Sequence, residues 1–137
     1  MKLEGHYHFV GVAGTGMNPI AQELLAQGCR VTGSDRYVDK GEDIEVISML
    51  KDAGIVFCPQ DGTGINIETR AIVVSTAIEN DNPDLMCAKK AGVKVLHRSE
   101  MLNMIISGTN SVAITGTSGK STVTGMIGWI LDCLGGD

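Results

Sequence analysis

The run Thr115-Gly116-Thr117-Ser118-Gly119-Lys120-Ser121-Thr122 places a lysine and two hydroxyls directly after a glycine-rich turn. At a strand-to-helix junction this is the working end of a P-loop. The backbone amides of Thr117 to Lys120 cradle phosphate oxygens, Lys120 meets the β and γ phosphates, and Ser121 ligates Mg²⁺ through its hydroxyl. Ile114 stands where the eight-residue pattern has its first glycine. The implied ligand is ATP with Mg²⁺, and a purely structural turn is the competing reading.

A second glycine loop lies near the N-terminus, Gly11-Val12-Ala13-Gly14-Thr15-Gly16-Met17. Its order is GxxGxG, a relative of the GxGxxG dinucleotide fingerprint rather than a match. Glycines let the backbone approach a diphosphate closely, and the first amides of the following helix favour negative charge, which puts the diphosphate at Thr15 to Asn18. A turn required only for strand–helix packing is the alternative. Asp35 closes the next strand, where an acidic residue bonds a ribose or base, or else caps a turn. Ser75-Thr76-Ala77-Ile78 follows a later strand, with hydroxyls that contact base or phosphate, or merely cap. His6, His8 and His97 are too scattered for a metal site, and an ordinary surface or strand-end role is expected of them.

The elements that must position these loops alternate strand and helix. Tyr7 to Val12 is an apolar run ending in glycines, followed by a helix from about Met17 to Gln27, with Pro19 in its first turn and Gly28 as its stop. Arg30 to Ser34 is a strand, and a helix from about Glu42 to Ala53 presents Ile44, Ile47, Met49 and Leu50 on its apolar face before Gly54. Strands follow at Ile55 to Cys58 and Ala71 to Ser75, then a helix from Pro83 to Ala91, a strand at Val93 to Leu96 and a helix from Ser99 to Ile106. Val- and Ile-rich strands that each precede a helix imply a parallel sheet with helices on both faces, so residues 1–106 form a Rossmann-like, doubly wound α/β domain. Beyond a polar break at Ser107 to Asn110, a strand at Ser111 to Thr115, the P-loop and a helix from Lys120 to Leu134 open a second domain that is cut short, over 107–137.

Composition narrows the partners. The chain has 137 residues, 43% hydrophobic and 20% charged, with a formal net charge of -5, which argues against a general nucleic-acid binder because backbone recognition depends on Lys and Arg. No apolar run has the length of a membrane span and the N-terminus lacks a signal-peptide core, so a cytoplasmic protein is expected. The four cysteines have no metal-ligand spacing. Val123, Met126, Ile127, Ile130, Leu131 and Leu134 form an apolar stripe on the last helix, which must be covered by its own domain or by a second copy in a dimer.

Taken together, His8-Phe9-Val10-Gly11 through Gly14-Thr15-Gly16-Met17, then Gly33-Ser34-Asp35, then Gly116 to Thr122, resemble the Mur ligases. Val74 to Ile78, Asn82-Pro83 and His97-Arg98-Ser99-Glu100-Met101-Leu102 place the resemblance in the branch that adds alanine or recycles murein peptides. That resemblance implies an ATP-dependent ligase of peptidoglycan synthesis that joins an amino acid, L-alanine first, to the carboxylate of UDP-N-acetylmuramate through an acyl phosphate. It implies that Gly14, Thr15, Gly16 and Met17 hold the UDP diphosphate, that Ser34, Asp35, Ser75, Thr76, Ala77 and Ile78 lie near the uridine end, and that Arg98 also contacts substrate. Gly116, Thr117, Ser118, Gly119, Lys120, Ser121 and Thr122 would bind ATP, with Lys120 the catalytic residue and Ser121 on Mg²⁺. Alone, the chain is expected to bind nucleotide phosphates without completing a reaction. Two other readings stand beside this one, a Rossmann-type NAD(P)-binding protein and a non-catalytic UDP-sugar-binding domain.

Overall fold

The computed structural model describes residues 3–42 and 45–135. Eleven elements are assigned among them: β1 (His6–Val10), α1 (Asn18–Ala26), β2 (Arg30–Ser34), α2 (Arg36–Asp39), α3 (Glu45–Asp52), β3 (Val56–Phe57), β4 (Thr69–Val74), α4 (Pro83–Ala91), β5 (Lys94–His97), α5 (Arg98–Ile106) and α6 (Lys120–Cys133). The five strands make one sheet in the order β3-β2-β1-β4-β5, and every pairing is parallel. The order reverses between β1 and β4, which is where an open α/β sheet leaves a crevice at its carboxyl edge.

Alternation along β1 sorts the core into two layers. Tyr7 and Phe9 face one way and join Leu24, Val31, Leu50, Met101 and Ile105, drawn from α1, α3, α5 and their strands. Full burial of each such side chain is worth about 1.5–3 kcal/mol. Val10 faces the other way, with Ile72, Leu85 and Ala88 beneath α4. Local chemistry fixes the helix ends. The Asn82 side chain accepts the amides of Asp84 and Leu85, Pro83 opens α4, and Gly92 closes it at φ 67°. The His97 ring and Glu100 form a capping box on α5.

His6 and His8 share the face of Val10 and are 4% and 0% exposed; His6 is at a strand end as expected, though buried, while His8 at the centre of β1 corrects the expectation of a surface or strand-end role. The part of this face over β2 is covered by the loop of residues 58–68, so strand and loop supply polar groups that need partners. They converge on Asp84, which is fully buried. Its Oδ1 accepts the Gly62 amide at 2.7 Å, and its Oδ2 accepts the Ser34 hydroxyl at 2.5 Å and lies 3.4 Å from His8 Nε2. His8 Nδ1 and His6 Nε2 each meet Thr32 Oγ1 at 2.8 Å, and His6 Nδ1 meets Thr69 Oγ1 at 3.2 Å. A carboxylate only accepts, so His8 donates to Asp84; where both rings are neutral, His8 in turn accepts from Thr32 and Thr32 from His6.

Other expectations are adjusted at the edges. α2, directly after Asp35, is an element the sequence reading lacked. Met49 is 47% exposed rather than part of a buried face, and Ile44 lies outside the described residues. The expected strand at Ser111 to Thr115 is not formed: residues 110–116 carry no strand assignment, because an extended segment becomes a strand only by pairing with another. α6 forms as expected, yet none of its residues is buried, so its apolar stripe is not packed onto the sheet domain. No helix among the described residues is long and apolar enough to cross a membrane.

Burial pushes the Asp84 carboxyl up, but the hydrogen bonds from His8 and Ser34, attraction to the His8 ring and the Gly62 amide together hold it below its ordinary 3.8. Burial, the Arg30 charge and His8 hold His6 below its ordinary 6.5. In both cases the unfolded chain takes up the proton first as pH falls. Stability is therefore expected to be full above 6.5, to decline below it as His6 is protonated on unfolding, and to decline again below 3.8 through Asp84. Urea denaturation at a series of pH values measures both limbs. Asp84→Asn, whose NH₂ faces donors in place of an acceptor, is expected to cost about 1–3 kcal/mol at neutral pH and to abolish only the lower limb.

Candidate functional site

A cleft of about 650 Å³ opens at the carboxyl edge where the strand order reverses. That volume suits a nucleotide-sized ligand. Its floor is the loop between β1 and α1, one wall is α2 with Gln60, and the other is the Ser75–Glu79 turn with Arg98 at the start of α5.

The loop is seated by backbone contacts. The Gly11 and Val12 amides both donate to the Ser34 carbonyl, at 2.8 and 3.1 Å, so the chain crosses the end of β2 at close range. Gly33 makes the crossing feasible, since a Cβ there would lie 2.6 Å from Val12 Cγ1. Asp35 then staples the loop from its side. Its Oδ2 accepts the Ala13 amide at 2.9 Å, and its Oδ1 accepts the Tyr37 amide at 3.1 Å as the N-cap of α2. Asp35 thus has the capping role, with one backbone amide on each carboxylate oxygen and a second lone pair left on each.

Within the loop the Gly14 carbonyl takes the amides of Met17 and Asn18, at 2.8 and 3.0 Å, and Pro19 has no amide to offer. The expected anion position at Thr15 to Asn18 therefore narrows to Thr15 and Gly16, whose amides have no hydrogen bond among the described residues. Arg98 sits against this point: a Cβ on Gly16 would fall 1.7 Å from its Nη1. The lining carries three cations, Arg36, Lys40 and Arg98, against the carboxylates of Asp35 and Glu79. With Asp35 committed to amides, the balance favours an anionic ligand.

Of the residues singled out in sequence, Gly14, Thr15, Gly16, Met17, Asp35, Ser75, Ala77, Ile78 and Arg98 line this one cleft. Ser34 and Thr76 do not. Ser34 is fully buried with its hydroxyl on Asp84, and Thr76 is exposed outside the lining. Ser75 Oγ accepts the Ala77 amide at 3.4 Å, which is the capping role. Sequence reasoning missed Arg36, Tyr37, Lys40, Gln60 and Glu79. Asp35 as an N-cap is a signal that could have revealed α2 and its three contributions. Gln60 and Glu79 sit in loops with no comparable signal. Arg36 and Glu79 reach across the cleft to 3.8 Å, an exposed pair of little energetic weight.

The other glycine loop is exposed throughout. Gly119 is the N-cap of α6 at φ 76°, and Lys120 Nζ folds back onto the Gly116 carbonyl at 2.7 Å. Lys120 and Ser121 occupy the first turn of α6, and no side chain would crowd a Cβ at Gly119. A helix N-terminus, a lysine and a hydroxyl on one turn are the donor set that a Mg²⁺-bound triphosphate requires, so these residues fit that group.

Gly16→Ala tests the coupling of Arg98 to the first loop. The clash falls on the mobile end of Arg98, so stability is expected to change by less than about 0.5 kcal/mol. Displacing the guanidinium should weaken binding of UDP by roughly tenfold, the worth of one charged hydrogen bond, as read by calorimetric titration beside a thermal melt.

Comparison with known proteins bears on the family and the fold. A model of the Mur ligase family, catalytic domain, matches residues 6–109. The UDP-N-acetylmuramate--L-alanine ligase of Clavibacter michiganensis is 41% identical over 124 residues, covering 90% of this chain and 25% of the relative. That of Persephonella marina is 39% identical over 136 residues, covering 96% and 28%. Among solved structures, UDP-N-acetylmuramate-alanine ligase from Thermotoga maritima superimposes with a TM-score of 0.81 at 28% identity, over 95% of this chain and 30% of that one. A murein peptide ligase from Psychrobacter arcticus gives 0.83 at 26% identity, over 96% and 27%. The chain thus spans about a quarter of the length of its curated relatives. With the family match extending over most of its residues, the chain belongs to the Mur ligase family.

Proposed function

We propose that this chain is the UDP-sugar-binding part, with the opening of the ATP-binding part, of a cytoplasmic ligase of peptidoglycan synthesis. The whole protein joins an amino acid, L-alanine first, to the carboxylate of UDP-N-acetylmuramate. The observation that carries the reading is the meeting of the Thr15 and Gly16 amides with the Arg98 guanidinium in a single cleft, a receptor for a diphosphate. The names of the relatives, alanine ligases and murein peptide ligases, support the substrate class. A murein-peptide-recycling ligase is the second reading, favoured by the likeness to the Psychrobacter arcticus structure.

In this proposal residues 1–106 bind the UDP-sugar and 107–137 begin the ATP-binding domain. The buried core ends at Ile105, which supports a boundary there. Lys120 and the amides of Thr117 to Lys120 would hold ATP, with Ser121 on Mg²⁺, and the chemistry supplied when these are bound is phosphoryl transfer to the sugar carboxylate. The contribution of Lys120 is electrostatic: a fixed cation beside a phosphoryl group whose charge spreads as it moves. Such stabilisation needs further ligands around it, so the 137-residue chain is expected to bind without turning over. The uncovered stripe of α6, with Met126, Trp129 and Ile130 exposed, is read as a surface for the rest of the ATP-binding domain or, in this chain alone, for a second copy. The NAD(P) reading keeps the support of the parallel sheet topology and is disfavoured by the GxxGxG order of the first loop and by the second glycine loop.

Calorimetric titrations with UDP-N-acetylmuramate, UDP and NADH test the proposal. Saturable binding of the two UDP compounds is expected, weakened at least about tenfold by Arg98→Ala. Binding of NADH with no response to either UDP compound would overturn it.

A further inference from the structure

Arg98 brings its charge to the cleft without a tether of its own. The guanidinium packs over Gly16, with Cζ 2.9 Å from where a Cβ there would fall, and makes no ion pair or hydrogen bond among the described residues. An arginine side chain is rich in rotamers, so its place is set by the backbone from which it starts. That backbone is the first residue of α5, a position that frays unless the helix end is capped. The preceding residue, His97, holds both sides of the junction. On the strand side it pairs with Val74, the last residue of β4 and the one before the Ser75–Glu79 wall. On the helix side its ring Nδ1 accepts the Ser99 amide at 3.3 Å and meets the Ser99 hydroxyl at 2.7 Å, while Glu100 Oε2 accepts the His97 backbone amide at 2.7 Å. The ring Nε2 is shut off from solvent, so the far edge of the ring is packed against protein and cannot swing away from the helix.

We infer that His97 is a positioning residue for anion binding: its cap on α5 fixes where Arg98 starts and so holds the guanidinium over Gly16. The inference rests on the diphosphate reading above and adds to it a residue outside the cleft, whose lining includes Arg98 but not His97, Ser99 or Glu100. Two features separate this role from general support of the fold. The capping groups all lie within residues 97–100, whereas Met101 and Ile105 anchor the rest of α5 in the core, so loss of the cap frees the first turn and leaves the helix on the sheet. At Glu100, moreover, charge and geometry pull in opposite directions. Removing a carboxylate two residues from Arg98 favours an anion by electrostatics alone, whereas removing its bond to the His97 amide loosens Arg98 and disfavours one.

The test is titration of the 137-residue chain with UDP, unaltered and as His97→Ala, His97→Asn, Glu100→Ala and Glu100→Gln, with a thermal melt of each. His97→Ala and Glu100→Ala are expected to weaken UDP binding by about threefold to tenfold, the ceiling being the effect of Arg98→Ala. Asparagine is a strong N-cap and glutamine at the third helical position keeps the reciprocal bond, so His97→Asn and Glu100→Gln should stay within about twofold of the unaltered chain. Added to Arg98→Ala, His97→Ala should change UDP binding by less than about twofold, because the group it positions is gone. Binding untouched by His97→Ala, tighter in Glu100→Ala, or weakened by His97→Ala to the same factor with and without Arg98, overturns the inference and leaves the diphosphate reading standing. If the melt shows that His97→Ala does not fold, the two Glu100 variants carry the same decision. No binding of UDP by the unaltered chain overturns both.

Discussion

The structure depends on one buried negative charge. Asp84 comes from α4, on the far side of the sheet order from β2, yet it holds the end of β2 through Ser34, the overlying loop through Gly62 and the centre of β1 through His8. A carboxylate taken out of water is tolerable only when its oxygens are fully engaged, so three separate segments are required to arrive together. Two of them, the end of β2 and the loop that carries Gln60, are also the supports of the cleft. Core and site are therefore specified by the same group.

The cleft itself is built by committing polar atoms elsewhere. Asp35 gives its oxygens to Ala13 and Tyr37, Ser34 gives its carbonyl to Gly11 and Val12, and Gly14 takes the amides of Met17 and Asn18. Among what remains uncommitted are two amides beside a guanidinium. Preorganisation of this kind means that little must be reordered when an anion arrives.

Much of this was legible in the sequence and some was not, for physical reasons. Apolar runs flanked by glycines reveal the strands, and Pro19, Gly28, Pro83 and Gly92 mark helix ends by their own backbone preferences, so the alternation of strand and helix could be read directly. Ser34 and Asp35 were found as important positions, but their roles depend on partners 50 and 22 residues away, a pairing that no local pattern encodes. The same holds for His6 and His8, which look like polar strand residues until α4 supplies Asp84. Gln60 lies in an irregular loop, where position is set by long-range contacts alone. The strand expected over Ser111 to Thr115 has the right residues; what it lacks is a neighbour to pair with.

The sheet ends on β3, which is only two residues long, with Val56 59% exposed and the Lys51 ammonium 5.7 Å above the Phe57 ring. Unpaired edge strands are templates for the pairing of one molecule with the next, and brevity with a nearby cation is a common protection. The doubly wound order puts β3 at the margin farthest from the crevice between β1 and β4. This margin can stay short and charged at a distance from the crevice, so resistance to edge-to-edge pairing places no demand on the β1–α1 loop that floors the cleft.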